Sequence, residues 1–217
     1  MKSSPNMSNK DDRMTRASLE VAGFFLIALL LTGFLLWIYL RSAQLALLVV
    51  GTSLVACVWE LGLLRLVGYG LDPFALLVPF LIMAVSVSHG VQYANAWAGE
   101  VQERGANGFD AALSTFRALA IPGVVALITD LAGFATIYLI DIQIIREMSI
   151  NAVFGMLGVI VVNKLMLPIV LAWGRVAPAA SGGAQRQSQR MTRITTAMGA
   201  LTHRRPATAV LAVCAAL

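Results

Sequence analysis

Asp130 is the lone charge in the run 121–140, IPGVVALITDLAGFATIYLI, which is apolar enough and long enough to cross a bilayer. An ionised side chain near a bilayer centre costs on the order of 2.5–3.5 kcal/mol on insertion scales, so such residues usually meet a partner or a wet cavity and mark ion pathways. The chemistry a lone carboxylate offers there is the uptake and release of a proton or a cation. Two more charged residues fall in apolar runs, Glu60 and Lys164. Lys164, a turn or two from the expected inner interface, is read as snorkelling to the headgroups, with pairing to Asp130 as the alternative. Glu60 lies roughly 25 Å along its helix from the inner end, which predicts a place near the outer surface, with Arg65 or water as its partner and no part in a relay.

Other chemistries find no support. Cys57 and Cys214 sit in apolar runs with no His or Cys at ligand spacing, which favours packing over a disulfide or a metal site. No Gly-rich phosphate loop, nucleophilic triad or metal cluster is present, so neither an enzyme nor a cofactor is expected.

The elements that must hold Asp130 follow from composition. Hydrophobic residues make up 59% of the 217 and charged residues 12%, far from the balance of a soluble domain. A spanning helix needs about 20 mainly apolar residues, and five segments qualify: 20–40, 43–69, 74–97, 119–139 and 148–173. A sixth apolar run starts after Pro206 and reaches Leu217, about a dozen residues, the start of a truncated helix. The expectation is an all-α, polytopic transmembrane bundle. Residues 1–19 form a polar N-terminal tail, 20–173 the bundle, 174–205 a basic cytoplasmic linker and 206–217 the truncated helix. The first apolar run has no A-x-A-like cleavage site and reads as a spanning helix.

Basic residues gather beside the membrane segments, which favours topology over nucleic-acid binding as their purpose. Arg175, Arg186, Arg190, Arg193, Arg204 and Arg205 put the last loop in the cytoplasm. Counting back leaves the N-terminal tail outside, against the sense of its own four basic residues, unless a large translocated domain precedes it. Asp72 and Pro73 are expected to cap and open the third span. Gly105 and Gly108 break the chain ahead of a short amphipathic cytoplasmic helix near 109–118, N-capped by Asp110. A second interfacial helix is expected within MTRITTAMGALTHRRP.

The order of motifs resembles the central helices of RND-superfamily exporters of the MMPL or hydrophobe-efflux type. The resemblance spans roughly 20–217 and is most specific from Pro79 to Pro168. Where the family has a G-x-D-[YF]-like motif this chain has Ser86-Val87-Ser88-His89-Gly90. Where the family has T-T-x-x-G-F it has Thr129-Asp130-Leu131-Ala132-Gly133-Phe134. Arg146-Glu147 follows in the outer turn and Leu167-Pro168 closes the match. Ser88 thus stands at the acidic position of the first motif and Asp130 at the second threonine of the next, as though the carboxylate had moved to the neighbouring helix. His89 becomes its natural partner. At about 1.5 Å per residue, the two fall within a turn or two of the same depth. Ser88 and Thr129 would then offer hydroxyls to the pair. The competing reading makes His89 a core histidine and Asp130 a hydrogen-bonding pin between helices.

The resemblance implies an RND-like half-transporter, part of a proton-driven exporter in a bacterial inner membrane. Its partners would be the bilayer, protons, hydrophobic or lipid-like cargo, and the remainder of the transporter, comprising a periplasmic domain and a second half. The proton relay would comprise Asp130, His89, Ser88 and Thr129. The alternatives are a lipid-binding module like the sterol-sensing domain, whose helices are related, and an inactive truncated product.

Overall fold

In the computed structural model the described residues are 5–68 and 77–173, with side chains described from Leu19 onward and at Arg16. The Asp72-Pro73 turn, the 174–205 linker, the second interfacial helix, Cys214 and the truncated run all lie outside them. The described residues are helical: α1 (Pro5–Leu40), α2 (Ala43–Leu66), α3 (Val78–Arg104), α4 (Gly108–Ile137) and α5 (Gln143–Val161), which runs through a π turn (Val162–Met166) into α6 (Leu167–Trp173). No strand occurs among them.

Four stretches are long and apolar enough to cross a membrane: Leu19–Leu40, Ala43–Leu66, Gly108–Ile137 and Gln143–Trp173. That is compatible with a multi-pass membrane protein, one short of the five spans expected. The remaining helix, α3, has the length but carries Ser86, Ser88, His89, Gln92, Tyr93 and Asn95, which lower its hydropathy. It packs among α2, α4 and α5, which bury Ser86 and Tyr93 and half-bury His89, while Ser88, Gln92 and Asn95 are exposed.

Local chemistry explains the joints. Arg41 adopts a left-handed conformation (φ 52°) that ends α1, and Ser42 caps α2 by accepting from the Leu45 N–H at 3.4 Å. Gly105 (φ 64°) ends α3 in the left-handed conformation that glycine adopts at least cost. The cap of α4 is Asn107, not Asp110 as expected: its Oδ1 accepts from the Asp110 N–H at 2.9 Å, and its amide donates to the Asp110 carboxylate at 2.8 Å. The Trp97 indole N–H donates to the Gly108 carbonyl at 3.1 Å, closing the α3–α4 turn. The expected separate amphipathic helix at 109–118 is the opening of α4, which continues through Pro122. The expected polar tail is likewise helical from Pro5, continuous with the first span. At the α4–α5 turn Arg146 pairs with Asp141 at 2.9 Å and lies over the Tyr138 ring, while the Ser149 hydroxyl donates to the Phe134 carbonyl at 2.6 Å.

Buried positions on α2 (Leu45, Val49, Thr52, Ser53, Ala56, Cys57, Glu60, Leu64) recur every three or four residues, one stripe of a 3.6-residue helix. Small residues bring α5 onto that stripe. A Cβ on Gly158 would sit 3.4 Å from the Ala56 carbonyl oxygen, and one on Gly155 would collide with Ile82 of α3 and lie 3.2 Å from the Glu60 carboxyl carbon. This is the close backbone approach that small residues permit in membrane bundles. Gly155→Val is therefore expected to destabilise the bundle by about 1–3 kcal/mol through overpacking. Gly51→Ala, on α2 with nothing near its absent Cβ, should be neutral or stabilising by up to about 1 kcal/mol. Unfolding in mixed micelles measures both.

Candidate functional site

Polar side chains inside the bundle meet where α3, α4 and the α5–α6 helix come together, and the π turn sets that meeting. Pro168 has no N–H to offer the Lys164 carbonyl, and its ring would crowd it, so a regular α turn cannot form there. The turn widens, and the Leu167 N–H reaches back to the Val162 carbonyl. Such single wide turns recur at functional sites. Here Val162, Asn163 and Lys164 are all buried, three consecutive residues facing inward.

Asn163 donates from its amide nitrogen to the Ser86 hydroxyl at 2.9 Å; both residues are 0% exposed, and the amide oxygen has no hydrogen-bond partner. Gly90 lies beside it: a Cβ there would be in ordinary contact with that oxygen at 3.5 Å and would collide with Val49 of α2 at 2.8 Å, so the glycine admits the close approach of α2. Lys164 is 5% exposed, with its ammonium 5.2 Å from the centre of the Tyr93 ring, within cation–π range. On its other side the ammonium fills the space that a Cβ on Gly123 would need. Lys164 therefore does not snorkel to a surface as expected: Gly123 opens a seat for it on α4, and the widened turn directs it there. Tyr93 is 1% exposed and its hydroxyl has no partner.

His89 lies one turn before Tyr93 on α3 and is half-buried; its Nδ1 is buried without a partner. The charges that reach its ring are those of Lys164 and Asp130. Asp130 is exposed on α4, and no hydrogen bond joins it to His89. Thr129, beside it, is exposed and donates to the Val125 carbonyl of its own helix at 2.9 Å. Ser88 is exposed on α3. The structure thus makes Asp130, His89 and Lys164 electrostatic neighbours across three helices, while neither hydroxyl bonds Asp130 or His89.

Glu60 also differs from its expectation. It is 0% exposed in the core between α2 and α5, and Arg65, the partner proposed for it, is exposed. Its place on the three-and-four stripe of α2 was the available signal, and depth along the helix was the wrong measure. Ser86, Asn163, Gly123 and Tyr93 were missed for a related reason: single polar or small residues in apolar runs carry no mark of which face they occupy. Among the described residues no three His, Cys, Asp or Glu side chains converge to hold a metal ion.

The Asn163–Ser86 bond is expected to show a coupling energy of about 0.6–1.7 kcal/mol, the range for interhelical hydrogen bonds in membranes. A double-mutant cycle of Ser86→Ala and Asn163→Leu, followed by unfolding in mixed micelles, measures it. Compared with family models and with curated proteins, the chain matches none.

Proposed function

We propose that this chain is the membrane domain of a proton-driven, RND-type exporter of hydrophobic or lipid-like compounds, with α3 crossing the bilayer beside the four apolar helices. Asp130 is the acid that gains and loses the proton, and His89 is its partner. The observation that carries this reading is His89 itself: its Nδ1 is buried and unpaired, and the Lys164 ammonium and the Asp130 carboxylate act on it with opposite sign. Lys164 joins the relay as the fixed cation, in place of the snorkelling role. When Asp130 takes up a proton, its negative charge leaves the field at His89 and the ammonium stands uncompensated. Those are two electrostatic states of one bundle, and helices that pack differently in each would convert protonation into motion. Exposure of Asp130 on α4 supports a wet cavity or a further helix against that face, because a carboxylate facing acyl chains is costly. Function in a bacterial inner membrane belongs to the same proposal.

One observation favours a second reading, a lipid-binding or sensing module. An apolar groove of about 490 Å³ runs between α1 and α2, lined by Leu30, Gly33, Phe34, Trp37, Leu47 and Val50 among others. Proton coupling separates the two. In membrane vesicles containing the gene's complete product, a lipophilic dye should drive proton flux, and Asp130→Asn should lower that flux at least roughly tenfold, a barrier increase of ~1.4 kcal/mol. His89→Ala should retain part of the flux with an altered pH profile. Full flux in Asp130→Asn would end the relay reading. Dye or lipid binding without proton movement in the unmutated protein would establish the sensing module instead.

A further inference from the structure

Glu60 is a carboxyl group enclosed by three helices. It is fully buried, and neither of its oxygens has a hydrogen-bond partner. Gly155 of α5 closes over its carboxyl carbon, and Ile82 of α3 fills the adjoining space. The surrounding cluster is apolar, built from Ala56, Cys57, Ile82, Ala152, Met156 and Val159.

No compensating cation is present among the described residues. The acidic partners in the ion pairs found there are Glu100 and Asp141, with Arg104 and Arg146. From α2 itself the titratable neighbour is the Cys57 thiol, one turn away, whose hydrogen bond goes to the Pro79 carbonyl at 3.5 Å. Ile82 of α3 and Gly155 of α5, which meet beside the carboxyl, carry no charge. A carboxylate with neither a hydrogen-bond donor nor a cation beside it is far more costly to bury than a neutral acid.

We infer that Glu60 is a second proton-binding site, separate from Asp130 and His89, which holds its proton as a neutral carboxylic acid while α5 is closed on α2. Release leaves a carboxylate and delivers the proton to water, so it requires the Gly155 contact to open. The site thereby ties a proton to the α2–α5 packing. The inference does not rest on the transport reading: it concerns the resting protein, whether or not the protein pumps.

Infrared difference spectroscopy of the reconstituted protein tests it. A carboxylic C=O band at neutral pH is expected, shifted by deuterium and by [δ-¹³C]glutamate in the unmutated protein. It should disappear in Glu60→Gln and survive in Asp130→Asn. The isotope shift needs no substitution, so the test holds even if Glu60→Gln folds poorly. Absence of the band, its failure to respond to labelled glutamate, its persistence in folded Glu60→Gln, or its loss in Asp130→Asn would each overturn the assignment. Failure of Asp130→Asn to reduce proton flux would leave it untouched.

Discussion

A single missing N–H organises the interior. Pro168 cannot complete an α turn, and the widened turn ahead of it carries Asn163 and Lys164 inward together. In a regular helix neighbouring residues lie about 100° apart, which makes it hard to bury three in succession on one narrow stripe. With the wide turn, Asn163 reaches Ser86 and Lys164 reaches Tyr93 and the seat at Gly123. Removing the distortion would leave at least one of these polar groups without its place.

The rest of the bundle is arranged around that polar interior. The α2 stripe, Gly90 of α3 and the glycines of α5 provide close helix contact, and Gly123 provides room for an ammonium. Small residues therefore have two purposes here, close helix approach at Gly90, Gly155 and Gly158 and space for a polar group at Gly123. α3, which carries the buried Ser86 and Tyr93 and the half-buried His89, lies among the apolar helices, where such groups meet protein instead of lipid.

Two acids in the same bundle have opposite surroundings. Asp130 is exposed on α4 within the field of a histidine and a lysine; Glu60 is sealed between α2 and α5 without a partner. In the proposed transporter the first exchanges protons where charges can respond to it, and the second reports whether two helices are closed. A lone charge in an apolar run marks Asp130 and the resemblance to RND exporters adds His89, while the enclosure of Glu60 emerges only from packing.

Sequence alone determined the helical, membrane-compatible character of the chain, because length and hydropathy of each run are local properties. It also marked Asp130, since a charge in an apolar run is visible without knowing what lies opposite. It misjudged the cap of α4, which is Asn107 and not Asp110, since both residue types cap well and only backbone geometry separates them. The burial of Lys164 and Glu60 was decided by tertiary structure. A long charged side chain reaches a surface or an interior seat depending on the space that other helices leave, and that space is created by residues tens of positions away, Gly123 for the lysine and Gly155 for the glutamate.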